Sequence, residues 1–194
     1  MPDASAAPPA EQTPEIKPWY WAASAAALAA MAVAIWLDRP WLLNFVHVMA
    51  GVLWTGTDLL MGFVVGPALR SAPFEARRAV SIRVTTRTIL LLPTLAIITG
   101  TTGWSHAKQL GFLDAAWPAY GWVAAALVLA AILTVQGLCI LLPSNIRVYR
   151  ELRKPTPDPE KIARVMRFYL HVIAIQGLTQ VAMIVVMARF VTGL

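Results

Sequence analysis

Five long apolar segments are the feature that most constrains how this chain can fold. A helix needs about 20 mostly apolar residues to cross the hydrocarbon core of a bilayer. Segments of this kind cover residues 19–37, 41–69, 80–104, 117–143 and 163–191. Only 13% of the 194 residues are charged, against about 25% in soluble domains. We therefore predict an all-α, polytopic membrane bundle of five transmembrane helices.

The chain divides into a short tail and one membrane domain. Residues 1–18 are rich in Ala and Pro, carry three acidic residues and lack the basic start of a signal peptide. We expect this segment to be a retained, disordered tail at the cytoplasmic surface. Residues 19–194 are predicted to form the five-helix transmembrane domain, since the sequence shows neither an internal repeat nor a second domain. Within it we predict a cytoplasmic loop at residues 149–162, with Pro159 starting the last helix.

The basic residues predict the orientation of the helices. Thirteen of the 16 Lys and Arg residues are Lys17 or lie in residues 70–87 and 147–167, on one side of the predicted membrane. Because Lys and Arg accumulate in cytoplasmic loops, the N-terminus is predicted to be cytoplasmic and the C-terminus external. This pattern accounts for the net charge of +6, so we expect no nucleic-acid partner. An inner aromatic belt is predicted at the same surface, formed by Trp19, Trp21 and Tyr169.

Polar side chains at membrane depth indicate either function or pairing between helices. Counted at about 1.5 Å per residue from the cytoplasmic ends, Asp58, Arg87, Gln136 and His171 lie about 10–15 Å deep. We predict that these four residues form an intramembrane polar cluster around an Asp58–Arg87 ion pair. The pair is either part of a polar path or a structural contact in which two charges neutralise each other.

A second polar stripe lies on the last predicted span. Gln176, Gln180, Met183 and Met187 share one helix face at a spacing of three or four residues. The two methionines have a spacing suited to Cu(I), but methionine is also an ordinary filler of apolar interfaces.

Each of the three histidines is a candidate cofactor ligand. His47 lies about 9 Å inside the outer surface and is also the candidate metal ligand. One ring nitrogen would bind the metal or haem iron while an acceptor orients the other, or the ring makes an interhelical hydrogen bond instead. His106 follows in a loop-like segment and reaches His47 only if the third span unwinds or tilts inward. His171 differs from His47 by roughly 20 Å in depth, too far for both to ligate one iron.

The segment Phe45-Val46-His47-Val48-Met49-Ala50-Gly51-Val52-Leu53-Trp54-Thr55-Gly56 resembles a motif of small bacterial membrane proteins. It places a Trp seven residues after a His and a Gly two residues after the Trp. The group includes the copper-resistance protein D family, HemJ-type protoporphyrinogen oxidases and the membrane domain of a bacterial urate oxidase. The resemblance covers residues 41–104. It implies a four- or five-helix bundle in the bacterial cytoplasmic (inner) membrane, often with a histidine-ligated b-type haem or a metal, and His47 as the ligand.

Three classes of function remain open. The first is a haem-b-binding redox or electron-transfer component that exchanges electrons with quinone. The second is a transport protein for a metal or small solute, and the third is a non-catalytic subunit of a larger membrane complex. Lipid is the expected environment in every case. A disulfide framework is excluded because Cys139 is the single cysteine, and no phosphate-binding loop or zinc-hydrolase motif is found.

Overall fold

Five helical spans make up the part of the chain that the structure describes. The structure, a computed structural model, describes residues 15–154 and 156–192, without the side chains of residues 74 and 75. Within these ranges it contains helices and no strands. The spans that are long and apolar enough to cross a membrane are Pro18–Leu37, Pro40–Ser71, Ala76–Gln109, Tyr120–Leu152 and Pro159–Val191. The predicted all-α, five-helix fold is therefore confirmed, while most of the predicted tail lies outside the described residues.

Proline and short polar residues set the ends of several helices. Helices α1 (Pro18–Leu37) and α2 (Pro40–Leu59) both begin at a proline, whose fixed φ and missing N–H suit the first helical position. Asp38 has a φ of 47° and ends α1, so that the chain reverses within two residues.

Two of the spans change from α to π geometry part-way along their length. Helix α2 continues through a π segment, Leu60–Val65, into α3 (Gly66–Ser71). Helix α5 (Tyr120–Thr134) continues through a second π segment, Val135–Leu141, into α6 (Leu142–Leu152). Short π segments within α-helices often occur at functional sites. Asp58 lies just before the first π segment, and Gln136 lies in the second.

The helices extend further than the apolar segments predicted. Helix α4 runs without a break over Phe74–Gln109, and the loop expected at residues 149–162 shortens because α6 continues to Leu152. The final helix, α7 (Pro159–Val191), starts at Pro159 as predicted, with the Asp158 side chain accepting hydrogen bonds from the N–H groups of Glu160 and Lys161. Charged residues continue these helices past the apolar core, and an apolar count does not detect that continuation.

Two apolar clusters form the interior. The cluster nearer the predicted cytoplasmic side consists of Met61, Leu141, Val148, Leu152, Ile162, Met166, Tyr169, Leu170 and Ile173. The outer cluster consists of Ala50, Trp54, Leu92, Leu95, Ile98 and Leu133. Helix α2 packs against both α4 and α7. The junction between the clusters falls between Trp54 and Met61 on α2, where Asp58 is located.

The outside of the bundle is apolar. Large side chains exposed on it include Phe45, Val48, Val52, Leu178, Val181 and Val185, and α1 is peripheral, with Ala34 as its buried residue. Soluble monomers rarely expose continuous apolar surface of this kind. The natural solvent of this surface is the lipid bilayer, which makes the chain a multi-pass membrane protein.

Candidate functional site

The centre of the bundle holds a buried carboxyl group that is bound by two amides. The Asp58 side chain is 0% exposed. Its Oδ2 accepts a hydrogen bond of 2.7 Å from Gln176 Nε2 and one of 3.0 Å from Gln180 Nε2. The two glutamines are 1% and 3% exposed and lie four residues apart on α7, so that one helix face presents both amides to α2.

Three oxygen atoms of this group have no hydrogen-bond partner among the residues that the structure describes. They are Asp58 Oδ1, Gln176 Oε1 and Gln180 Oε1, and all three are buried. The Trp54 indole, one turn before Asp58, interacts with the carboxyl group, but it does not complete a hydrogen bond to Oδ1. Because buried polar atoms are nearly always paired, these oxygens are suited to accept a proton or a hydrogen-bond donor.

A second buried polar group lies around Tyr169 of α7. The Tyr169 side chain is 1% exposed, and its hydroxyl oxygen accepts a long hydrogen bond of 3.5 Å from Asn145 Nδ2. The same amide lies 3.4 Å from Thr88 Oγ1 on α4. Tyr169 is therefore an interior residue that joins α4, α6 and α7, and its predicted place in the inner aromatic belt is wrong.

The predicted ion pair between Asp58 and Arg87 is not formed. Arg87 is exposed on α4, and its Nε–H donates a hydrogen bond of 3.3 Å to the Tyr20 hydroxyl of α1. Within the described residues, no Lys, Arg or His forms an ion pair with Asp58. Similar depth did not bring the two side chains together because α4 turns Arg87 away from α2, toward the edge of the bundle.

Among the described residues, His171 and Gln136 also form no hydrogen bond with the Asp58 carboxyl group. His171 is exposed on α7, and its Nδ1 lies 2.7 Å from Arg167 O of the same helix. Gln136 has a buried Oε1 without a partner, while its neighbour Gly137 faces Gln176, whose Oε1 would be 3.9 Å from a Cβ at that glycine. The predicted four-residue cluster is therefore replaced by Asp58, Gln176 and Gln180.

His47 is held against α4 by one ring nitrogen. Its Nδ1 lies 2.8 Å from the carbonyl oxygen of Thr99, so this nitrogen is the donor in the neutral tautomer that fits the contact. The ring covers Gly103, where an added Cβ would be 2.6 Å from His47 Cε1. This is the interhelical hydrogen bond that the sequence analysis gave as one of two possibilities. Within the described part of the chain, Nε2 has no hydrogen-bond partner.

His106 lies one turn beyond Gly103, the residue that the His47 ring covers. The segment around it is helical and belongs to α4, so the expectation of a loop is wrong, and no unwinding is needed for the two rings to approach. His106 Nδ1 is buried without a hydrogen-bond partner among the described residues. Of the three candidate ligands, His47 and His106 lie near each other where α2 meets α4, and His171 is separate from them.

No group of three or more His, Cys, Asp or Glu side chains within the described part of the chain could hold a metal ion.

No protein-family model, curated protein or solved structure matches this chain. The resemblance carried by residues 45–56 therefore stays a prediction, and the function has to be argued from the geometry.

The residues that the sequence did not assign to the site are Gln176 and Gln180. The sequence analysis placed both glutamines on one face of the last span. It assigned other side chains to Asp58, however, because their depths, counted from the predicted helix ends, matched that of Asp58. The true helix ends lie beyond the apolar segments, so depths counted from the predicted ends were offset. The sequence did contain a signal that could have predicted this contact. It was an acidic residue inside one apolar span together with two glutamines four residues apart in another.

Proposed function

We propose that this protein handles protons within the membrane, with the Asp58 carboxyl group as the site that takes up and releases a proton during transport of a small solute. The observation that supports the proposal is a fully buried carboxyl group, bound by two amides, without a cationic partner among the described residues. Intramembrane acidic residues are rare, and they commonly belong to ion or proton pathways.

The chemistry of the group suits two protonation states. An ionised carboxylate without a countercharge is costly in a medium of low dielectric constant, so the neutral acid is favoured at rest. In that state Oδ2–H donates to a glutamine oxygen once one amide flips, because the flip places the amide oxygen where the nitrogen now lies against Oδ2. When the proton leaves Oδ2 for water or for a bound solute, that amide turns back and its N–H group again stabilises the carboxylate.

The alternative is that Asp58 only fixes α2 to α7. Asn is the variant that separates the two roles, because it has the shape of a neutral carboxylic acid but does not exchange a proton. Difference infrared spectroscopy of the reconstituted protein, recorded across a pH step in H₂O and in D₂O, detects the C=O band of a protonated carboxyl group. We expect such a band in the wild type and in Asp114→Asn, a variant of an exposed residue, and its loss in Asp58→Asn.

Transport is tested with the same variants in liposomes that contain a pH-sensitive dye. Asp58→Asn should fold with a wild-type unfolding temperature and lose proton movement, while Asp114→Asn retains both. Wild-type proton flux in Asp58→Asn would refute the proposal. Loss of folding in Asp58→Asn would instead support the purely structural role, in which the protein is a subunit stabilised by helix contacts or by a larger membrane complex.

A second candidate function rests on His47. Its hydrogen bond to Thr99 O is the arrangement that orients a histidine for ligation through the other nitrogen. His47 would be the residue that holds a haem b here, because its ring packs against Gly103 of α4 and leaves no gap for a macrocycle between His47 and His106. Such a haem would supply one-electron chemistry for exchange with quinone. The predicted setting is the bacterial inner membrane, with the N-terminus of the protein in the cytoplasm.

An absorption spectrum of the purified protein, oxidised and then reduced with dithionite, tests this second candidate. A Soret band that sharpens on reduction and disappears in His47→Ala would support it. A featureless spectrum from cells supplied with haem would refute it and would leave the proton-handling proposal unaffected.

A further inference from the structure

A groove on the surface of the bundle lies at the predicted cytoplasmic membrane interface. It has a volume of about 620 Å³ and is lined by Ile89 of α4 and by Ile146, Tyr149, Arg150 and Arg153 at the end of α6. A smaller groove of about 360 Å³ continues from it, shares Tyr149 and Arg153, and reaches Glu15, Ile16 and Trp21 beside α1. Together the two grooves form a continuous surface between α1, α4 and α6.

The polar and apolar lining residues lie at different depths. Ile146 is one turn earlier on α6 than Arg150 and therefore lies deeper in the predicted membrane, and Ile89 lies at the same level, because the neighbouring residues Thr88 and Asn145 are in contact. Tyr149, Arg150 and Arg153 occupy the surface end of the helix. The groove is consequently apolar toward the membrane centre and basic at its mouth, which is the polarity of a phospholipid that stands in the inner leaflet.

The positive charge at the mouth is not neutralised within the described residues. The nearest acidic residue in the sequence, Glu151, faces the other way and binds Lys154 and Lys161, each at 2.9 Å. Arg153 lies over the Tyr149 ring with 5.7 Å between its Cζ atom and the ring centroid, and it makes no ion pair in the described part of the chain. Glu15, on the wall of the smaller groove, is the one acidic residue among the described residues that line the two grooves.

We propose that this groove binds an anionic phospholipid of the cytoplasmic leaflet, with its phosphate at Arg150 and Arg153 and its acyl chains against Ile89 and Ile146. Basic pockets between helices on the cytoplasmic side are suited to anionic headgroups, and arginine pairs with phosphate through several N–H donors. The aromatic side chains that flank the mouth, Trp21 and Tyr149, are of the type that settles at headgroup level.

Lipid binding is measured on the full chain in nanodiscs of phosphatidylcholine with increasing phosphatidylglycerol, through the rise in unfolding temperature. The variants are Arg150→Gln/Arg153→Gln and, as a matched control, Arg147→Gln, which removes an exposed arginine of the same helix that does not line the groove. Their unfolding temperatures in pure phosphatidylcholine establish that they fold.

We expect phosphatidylglycerol to stabilise the wild type and Arg147→Gln, and the double variant to require a lipid concentration roughly 25-fold higher, since each arginine that contacts the headgroup contributes about fivefold. Equal sensitivity of Arg147→Gln and the double variant would overturn the proposal, because it would indicate a diffuse charge effect. Full competition by inorganic phosphate would also overturn it, because the site would then bind phosphate without needing a lipid.

Discussion

The carboxyl group of Asp58 on α2 and the amide of Gln176 on α7 are 2.7 Å apart, although 118 residues separate them along the chain. The hydrogen bond lies between the two apolar clusters of the bundle, and it joins two helices that are neither consecutive nor linked by a short loop. Gln180 contributes a second bond to the same oxygen. The polar centre of this protein is therefore a contact between its second and fifth spans.

The first prediction concerns the two amides. Gln176→Leu and Gln180→Leu each remove one donor to Asp58 and should lower the free energy of unfolding by about 0.6–2 kcal/mol, the range for interhelical hydrogen bonds in membranes. Unfolding by denaturing detergent in mixed micelles measures the change. Thr179→Val is the control, since its hydroxyl bonds only the carbonyl oxygen of Ile175 in its own helix. Equal stability of Gln176→Leu and the control would contradict the importance of the Asp58 contact.

The second prediction separates the observed role of Arg87 from the ion pair that the sequence predicted. Arg87 is exposed and bonded to Tyr20, so Arg87→Gln should lower the free energy of unfolding by less than about 1 kcal/mol. Loss of one partner of a buried ion pair costs about 3–5 kcal/mol. The same unfolding assay distinguishes these values, and a loss in the larger range would indicate that Arg87 does pair with Asp58.

The third prediction tests how His47 is positioned. In Gly103→Ala the new methyl group would be 2.6 Å from His47 Cε1, so the ring has to move away from Thr99. We expect the NMR signals of His47 to shift and, if the protein carries haem, the Soret band to change. Gly100→Ala is the control on the same helix, because a Cβ there meets nothing within 4 Å. Unchanged His47 signals in Gly103→Ala would show that this contact does not fix the ring.

The fourth prediction concerns the close approach of the second span to α7. A Cβ at Gly62 would be 2.9 Å from the Cα of Ala174, and a backbone atom cannot rotate away as a side chain can. Gly62→Ala should therefore destabilise the protein by about 1–3 kcal/mol, as overpacking does. Gly56→Ala adds a methyl group in open space and should leave the unfolding temperature nearly unchanged. An equal response of the two variants would show that α7 shifts without cost.

The sequence alone determined the fold class and the number of spans. Length and apolar content are local properties, and a bilayer requires each crossing segment to satisfy its own backbone hydrogen bonds, so five apolar segments predict five helices without knowledge of their packing. The start of α7 at Pro159 followed from the same local reasoning. The helix ends at Ser71, Gln109 and Leu152 did not, since helical geometry continues into charged sequence where an apolar count stops.

The tertiary structure decided which polar side chains meet. Depth fixes one coordinate of a side chain, but the rotation of each helix about its axis and the choice of neighbouring helices fix the others. Asp58, Arg87 and His171 share similar depths by count, yet the rotations of α4 and α7 place Arg87 beside Tyr20 and leave His171 exposed. The contact of Asp58 with Gln176 and Gln180 arises from packing between α2 and α7, which the periodicity of a single helix does not contain.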